Sequence, residues 1–340
     1  MNTTDSKRLA ELQENTPLAD AARRVLSIRL EAVRDCLGQA LNATKDRRKS
    51  VHALRVASRR AVAALDVFAD CLPRRVFKEA RNAMRTLRRA VGTARDWDVL
   101  LQQLARKLGA AADSDRAPLD MLRGYALAHR LPAQSRLEAA CPDHPFGFDR
   151  LMARCVAAVR VRNTEPVSFG GHLRPIVARL VANLDTRAAE GDGDWDRLHD
   201  VRIAGKRLRY TLELVPEAFG GPMQTHLGPA LARLQEVLGE VNDSFNASRL
   251  LRQLVNGMTD CAPEAAVAYG EVLEAQAAAH EAVMQRGREA YREWLRDWDA
   301  SEMQDALRAI CPDARGRGHG RAGLTASRPA DPTLILGRTA

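Results

Sequence analysis

The chain has 340 residues, of which 46% are hydrophobic and 28% are charged, so it can bury a sizeable core. Lysine and arginine outnumber aspartate and glutamate by 52 to 43, and the net charge of +9 predicts an acidic partner. The N-terminus has no apolar segment and no run of about 18 apolar residues occurs, which disfavours secretion and membrane spanning and predicts a cytoplasmic protein.

Helical spacing of apolar residues runs through most of the chain and β-branched alternation is scarce, so the sequence predicts an all-α fold. Residues 1–17 are predicted to form a flexible N-terminus. In chain order, the predicted helices cover residues 18–43, 49–71, 74–108, 115–139, 146–163, 169–190, 195–216, 222–256, 262–297 and 300–310. Residues 312–340, rich in glycine, arginine and proline, are predicted to form a disordered basic tail.

Prolines and glycines divide the helical pattern. Pro118 and Pro132 are interpreted as turns or first helical positions, and the run 191–194 as a linker or the N-terminal turn of a helix. Gly92 and Gly239 lie inside predicted helices, where glycine is destabilising. We therefore expect each of these two glycines to permit the close approach of a neighbouring helix.

One short pattern occurs twice. The segment HALRVASRR, from His52 to Arg60, matches HDVRIAGKR, from His199 to Arg207, at an offset of 147 residues. Further along, residues 87–96 match 234–243 at the same offset. Two matches in one register indicate a tandem duplication, with repeat 1 at about 18–163 and repeat 2 at about 165–310. Packed about a pseudo-twofold axis, the repeats would present their His-x-x-Arg helices to one shared groove.

The repeated helices carry a stripe of cations. Positions 52, 55, 59, 62 and 66 share one helical face, as do positions 199, 202, 206, 209 and 213. In repeat 2 this face carries His199, Arg202, Lys206 and Arg209. Like charges at this spacing repel each other, so the pattern indicates that an anion compensates them.

Repeat 1 distributes its cations over two helices. The first face carries His52, Arg55 and Arg59 but ends in Val62 and Asp66. The next helix adds four arginines on the face that contains Gly92, with a fifth at its edge. The four are Arg81, Arg85, Arg88 and Arg95, and the fifth is Arg89. At the positions equivalent to the four, repeat 2 has the uncharged residues Gly228, Ala232, Gln235 and Asn242.

Three interpretations of the repeated histidines stay open. They could bind phosphate, donate as structural residues to a carbonyl or to Asp96 or Asp243, or ligate a metal. No H-x-x-x-H or E-x-x-H spacing and no nearby cysteine completes a metal site.

The six cysteines form no C-x-x-C pair and are predicted to be buried free thiols in a reducing compartment. A structural supporting role is predicted for six residues near the repeated motifs, in which the carboxylates of the two aspartates would orient neighbouring arginines. The six are Gly92, Arg95, Asp96, Gly239, Asn242 and Asp243.

Motifs that carry known catalytic chemistry are absent from the sequence. There is no G-x-x-x-x-G-K-[ST], G-x-G-x-x-G, G-x-S-x-G or E-x-E-x-K pattern, which predicts binding without catalysis and without a cofactor. The pair His199-Asp200 resembles the HD pair of metal-dependent phosphohydrolases and lacks its further partners. Aromatic residues make up 4% of the chain, which disfavours recognition of single-stranded nucleic acid, whereas duplex binding through phosphates stays open.

Four segments resemble the CHAD family, the conserved histidine α-helical domain: VHALRVASRR (51–60), LRRAVGTARDWDVL (87–100), LHDVRIAGKRLRY (198–210) and LQEVLGEVNDSFNA (234–247). The resemblance covers roughly residues 18–310. It implies two four-helix bundles related by pseudo-twofold symmetry, with a basic groove or pore that binds inorganic polyphosphate and targets the protein to polyphosphate granules. The family pattern usually has a further basic residue at the position of Val62.

The resemblance implies which side chains contact the ligand. It assigns contacts to His52, Arg55, Arg59, Arg60, Arg85, Arg88, Arg89, His199, Arg202, Lys206, Arg207 and Arg209, and the basic face of the third helix adds Arg81. The predicted function is therefore polyphosphate binding, with other polyanions as further partners and neither membrane association nor specific nucleic-acid recognition. The alternatives are a phosphohydrolase or polyphosphate-processing enzyme and a nucleic-acid-binding helical scaffold.

Overall fold

The computed structural model describes residues 9, 11–42, 46–140, 146–161, 166–190, 194–214, 221 and 223–310. Within these ranges it contains ten α-helices and no β-strand, which confirms the predicted all-α class. In chain order the helices are α1 Leu18–Asn42, α2 Arg47–Val67, α3 Arg74–Gly109, α4 Asp113–Ala139, α5 Phe146–Ala157, α6 Phe169–Glu190, α7 Trp195–Leu212, α8 Gly228–Cys261, α9 Pro263–Asp299 and α10 Ser301–Ile310. No helix within these ranges combines the length and apolar character needed to cross a membrane.

Short turns explain where the predicted helix ends differ from the observed ones. α2 ends at Val67, because the chain tightens after it into a 3₁₀ turn at Ala69–Cys71. α8 begins at Gly228 because a π-helical turn at Met223–Leu227 precedes it. The first turn follows α2, which carries one of the two repeated His-x-x-Arg motifs. The second turn precedes α8, a neighbour of the helix that carries the other motif.

Two prolines lie inside α4, so the prediction that Pro118 and Pro132 mark turns or first helical positions was wrong. A proline in a helix interior costs about 3 kcal/mol because it removes an N–H donor and crowds the preceding turn. Burial of Leu119, Leu122 and Leu137 offsets this cost, at about 1.5–3 kcal/mol for each leucine. Tertiary packing thus overrides the local preference.

The segment 11–17 packs onto the beginning of α6, although the sequence predicted a flexible N-terminus there. Leu9 and Leu12 are buried, and the amide of Gly170 donates a 2.8 Å hydrogen bond to the carbonyl of Glu14. These two leucines supply an apolar anchor within an otherwise polar segment.

Several predicted segments lie outside the described residues. They are residues 1–8 of the N-terminus, the basic tail 312–340, and positions 191–193 of the predicted turn. The last residue of that turn, Asp194, caps α7, since its carboxylate accepts a 3.0 Å hydrogen bond from the amide of Arg197.

The helices of each half pack into one main core. In the first half α1 contacts α2 and α5, and α3 contacts α2 and α5; in the second half α7 contacts α6 and α8, and α8 contacts α9. The two halves meet where α2 contacts α7. The pseudo-twofold relation between the halves stays a prediction.

A second, smaller core joins the far ends of the long helices. Leu104 of α3, Leu122 of α4, Leu251 of α8 and Leu273 of α9 belong to it, and α4 contacts α9 there. Helices of the two halves therefore contact each other in three pairs, α2 with α7, α4 with α9 and α1 with α6. α3 and α8 each contribute to both cores and run between these contacts.

Gly205 is the glycine at which α7 and α8 approach closely. A Cβ there would lie 2.7 Å from Leu234 Cδ2 and 2.9 Å from Gln235 Nε2. The prediction that Gly92 and Gly239 permit such an approach was wrong, because a Cβ on either one would meet no atom within 4 Å. The sequence shows the helical cost of a glycine but not what lies beside it.

Replacing Gly92 or Gly239 by alanine is expected to raise the free energy of unfolding by about 0.5–1 kcal/mol, because alanine favours the helix and has room here. Urea unfolding followed by circular dichroism measures this change. Gly205→Ala is the control, since contact with Leu234 opposes the same helical gain. Equal stabilisation by all three substitutions would contradict the packing described for these helices.

The described cysteines lie in different environments. Cys71 and Cys155 are buried, and burial raises the pKa of each thiol to about 11. Cys36 is half-buried, whereas Cys261 is exposed, so the prediction of burial was wrong for Cys261. Cys141 and Cys311 lie outside the described residues.

Candidate polyanion-binding site

Cations from both halves of the chain lie together where α2 meets α7. α2 carries Arg55 and Arg59, α7 carries Arg202 and Lys206, and the neighbouring α3 carries Arg88. We call these five residues the cation cluster. Burial lowers the pKa of Arg88, of Arg202 and of Lys206, and the positive charge of Arg59 lowers each of them further, as expected for neighbouring cations.

Burial acts on the cluster more strongly than mutual repulsion. Only 7% of Arg202 is exposed, and burial, followed by the charge of Arg59, lowers its pKa to about 10. Burial, followed by Arg59 and Arg202, lowers the pKa of Lys206 to about 6. The pKa values of Arg59 and Arg88 are also lowered mainly by desolvation, although Arg88 keeps an exposed side chain. Gathering desolvated like charges destabilises the free protein, and a bound anion would relieve this cost.

Few acidic groups compensate the cluster. Asp96 of α3 accepts a 2.8 Å hydrogen bond from Arg55 Nη1, but 69% of the Asp96 side chain is exposed. Asp243 of α8 is also exposed and acts on Lys206 through its charge. The cluster therefore keeps a positive balance beside these two carboxylates.

One buried nitrogen of the cluster has no acceptor. Arg202 Nε is buried and has no hydrogen-bond partner among the described residues. The side chain of Gln235 on α8 does not accept a hydrogen bond from this nitrogen. It donates one to the backbone carbonyl of Arg202, at 3.3 Å. Leaving a buried polar group unpaired costs about 1–3 kcal/mol, more for a charged one. An anionic oxygen is the acceptor that this guanidinium nitrogen lacks.

The two repeated histidines have different surroundings. His52 is exposed, and partial burial followed by the charges of Arg95 and Arg55 lowers its pKa. His199 is half-buried, hydrogen-bonds to Asn242 and packs edge-on against Trp195, with 5.6 Å between the ring centroids. Burial followed by the charge of Arg202 lowers the pKa of His199.

The metal interpretation of the histidines has no support in the described part of the chain. Among those residues no group of three or more His, Cys, Asp or Glu side chains could hold a metal ion. Asp200, the neighbour of His199, accepts a 3.3 Å hydrogen bond from Arg187 instead. The phosphate and structural interpretations of the histidines stay open. The hydrogen bond between His199 and Asn242 is an interaction of the type that the structural interpretation predicts.

Besides Arg55, which pairs with Asp96, three more of the predicted ligand arginines are paired with carboxylates. Arg60 Nε and Arg209 Nε lie 2.7 Å and 3.0 Å from the two carboxylate oxygens of Glu213. Arg81 Nε lies 2.7 Å from the carboxylate of Asp66, which is at the position equivalent to Glu213 in repeat 1. Asp66 and Glu213, at the C-terminal ends of α2 and α7, thus neutralise these three arginines.

Glu213→Gln is expected to lower the free energy of unfolding by about 1–3 kcal/mol, because the partly buried Arg60 loses its charged acceptor. Thermal and urea unfolding measure the loss. Glu240→Gln, at an exposed position of α8, is the matched control and should change stability by less than about 0.5 kcal/mol. An equal effect of both changes would contradict a bridging role for Glu213.

The other predicted residues lie around the cluster rather than in it. Arg85, Arg89 and Arg207 are exposed, and no ion pair involves them within the described ranges. Arg95 is half-buried near His52. The side chain of Asn242 donates a 3.1 Å hydrogen bond to the Asp243 carboxylate.

Two residues that matter for the site's geometry were absent from the predicted set. Tyr210 of α7 hydrogen-bonds to Arg59 of α2, and Glu213 bridges the two halves. The spacing of Arg209 and Glu213, four residues apart on a helix, could have indicated their ion pair. No sequence signal pointed to Tyr210.

Comparisons with known proteins identify the family and the fold. The model of the CHAD domain family matches residues 12–252, which include the whole cation cluster. A crystal structure of the CHAD domain from the plant Ricinus communis is similar, with 26% identity, a TM-score of 0.64, and coverage of 83% of this chain and 93% of that one. PptA from Streptomyces chartreusis shares the fold, with 18% identity, a TM-score of 0.64, and coverage of 83% and 100%. No curated protein matches the chain.

Proposed function

Because the chain belongs to the CHAD family, and because its two halves bring five cations together, we propose that it binds inorganic polyphosphate in the cation cluster. The observation that carries this proposal is the buried, unpaired Arg202 Nε in a cluster whose cations lose solvation without an equal number of carboxylates. A phosphate oxygen would supply the missing acceptor and charge. The resemblance to the family implies the same ligand.

A linear phosphate chain suits the arrangement of the cluster. Such a chain repeats its negative charge along its length and has no bases, so its recognition needs a row of cations and no stacking surface. Arg59 and Arg202 come from different helices of different halves, which allows one chain to contact both. Guanidinium groups can contact two phosphate oxygens at once, which favours arginine at these positions.

Titration of the protein with long-chain polyphosphate and with duplex DNA of matched total charge, at several salt concentrations, tests the proposal. We expect tighter binding of polyphosphate at every salt concentration, and affinity that falls steeply as salt rises. Equal affinities would indicate a general polyanion or nucleic-acid binder. In cells, a fluorescent fusion is expected to associate with polyphosphate granules.

We further propose that the protein binds polyphosphate without cleaving it. Asp200 is engaged by Arg187, which leaves His199 without the acidic partner of an HD-type phosphohydrolase. Incubation with polyphosphate and divalent metals is expected to release no orthophosphate. Release that His52→Ala or His199→Ala abolishes would support the enzyme alternative instead.

A further inference from the structure

A row of basic residues leads away from the cation cluster along α3. Its inner end is Arg88, one turn from Gly92, whose carbonyl oxygen lies 3.5 Å from Arg55 Nη1. At 100° and 1.5 Å per residue, the row stays on one face of the helix and extends about 21 Å towards its N-terminus. The row consists of Arg74, Lys78, Arg81, Arg85 and Arg88, and we call it the α3 stripe.

The outer cations of the α3 stripe are accessible to a ligand. Arg74, Lys78 and Arg85 are exposed, and none of them forms an ion pair within the described parts of the chain. The acidic residue of this stretch, Glu79, lies on another face and is held by Arg154, at 2.6 Å and 2.9 Å. Positive charge therefore continues outward from the cluster without an opposing carboxylate on the same helical face.

α2 borders the stripe on one side and leaves it open. The pairs Arg55–Asp96 and Arg81–Asp66 show that α2 and α3 run antiparallel with their basic faces turned to each other. Asp66 would repel an anion at this point, but its pairing with Arg81 compensates its charge. A chain that leaves the cluster along α3 thus meets Arg85 first, then the compensated Arg81–Asp66 pair, and beyond it Lys78 and Arg74.

The second half of the protein has no counterpart to this stripe. The positions equivalent to its five members carry no charge, and they are Gly221, Thr225, Gly228, Ala232 and Gln235. The basic surface around the cluster is therefore one-sided.

We propose that a polyphosphate chain held in the cation cluster continues along the α3 stripe, which acts as a second, length-selective binding surface for the same ligand. This inference rests on the proposed function. A short polyphosphate fills only the cluster, whereas a long one also contacts Arg74, Lys78 and Arg85. Affinity is therefore expected to rise with chain length, and the gain should depend on the first half alone.

Calorimetric titration with tripolyphosphate and with long-chain polyphosphate tests this inference on the full chain. The variant Arg74→Gln/Lys78→Gln/Arg85→Gln is expected to bind long chains about ten-fold more weakly and to bind tripolyphosphate as the unaltered protein does. The matched control, Arg136→Gln/Arg179→Gln/Arg296→Gln, removes the same charge from exposed positions outside α3 and should change neither affinity. All three changes of each variant are on the surface, and an unchanged melting temperature verifies the fold.

The possible outcomes separate the stripe from the cluster. Unchanged long-chain affinity in the α3 variant would overturn the stripe while leaving polyphosphate binding intact. Equal losses for both ligands, or an equal loss in the control variant, would also overturn it, because net charge alone would then explain the effect. Failure of the unaltered protein to bind either ligand would overturn the proposed function itself.

Discussion

Replacing Arg59 and Arg202 together by glutamine is expected to weaken the binding of long-chain polyphosphate by about 100-fold or more. Each guanidinium would contribute charge-assisted hydrogen bonds worth about 1.5–3 kcal/mol, and the loss of two such contributions corresponds to at least two orders of magnitude in Kd. Calorimetric titration at one fixed salt concentration measures the change. Arg179→Gln/Arg296→Gln removes the same charge from exposed positions and should have little effect.

The same double variant is expected to be as stable as the unaltered protein or more stable when no ligand is bound. It removes two desolvated cations that repel each other, one of which leaves a buried nitrogen unpaired. A purely structural role predicts the reverse, namely weak binding that accompanies a large loss of stability. Urea unfolding of both proteins without ligand distinguishes the two accounts.

Polyphosphate affinity is expected to fall about ten-fold for each pH unit between about pH 7 and 9. In the free protein the pKa of Lys206 is about 6, so its amine is largely neutral in this window. A bound anion favours the ammonium form and moves the pKa back towards the usual value of about 10.4, so binding takes up a proton. Calorimetry in buffers of different ionisation enthalpy counts that proton directly.

Two substitutions of Lys206 separate its charge from its titration. Lys206→Arg keeps a cation that does not titrate, so binding should persist while the pH dependence and the proton uptake disappear. Lys206→Met removes the cation, so binding should weaken and lose the same pH dependence. Affinity of the unaltered protein that does not change with pH would contradict this role of Lys206.

The lowered pKa of Lys206 also predicts how stability depends on pH. Between about pH 6 and 10 the unfolded chain binds a proton at Lys206 that the folded, unliganded protein does not, so the free energy of unfolding rises with pH, by up to about 1.4 kcal/mol per unit. Below pH 6 the full penalty is present, and above the unfolded pKa it is gone. Lys206→Met should remove this slope and stabilise the protein at pH 7 by at most about 5 kcal/mol.

The helices and the basic residues could be predicted because they depend on local patterns. Apolar spacing marks each helix, and the repeated His-x-x-Arg segment marks the two helices that carry Arg59 and Arg202. The prolines of α4 were misread for the opposite reason. Their local cost is visible in the sequence, whereas the tertiary packing that offsets it is not.

Long-range pairing could not be predicted in the same way. Arg60 pairs with Glu213, which lies 153 residues later in the sequence, and this ion pair depends on how α2 packs against α7. The desolvation of Arg202 and Lys206 likewise depends on how α7 packs against its neighbouring helices. The basic faces of the helices identified the cations in the sequence. Only the fold distinguishes the desolvated Arg202 and Lys206 from Arg60, Arg81 and Arg209, which are neutralised by carboxylates.

A crystal structure of the protein with bound polyphosphate tests the central claim most directly. We predict phosphate groups between α2 and α7, with one oxygen within hydrogen-bond distance of Arg202 Nε and others contacting Arg59 and Lys206. A phosphate chain bound elsewhere, with the Arg202 nitrogen still lacking an acceptor, would contradict the assignment of the cation cluster as the binding site.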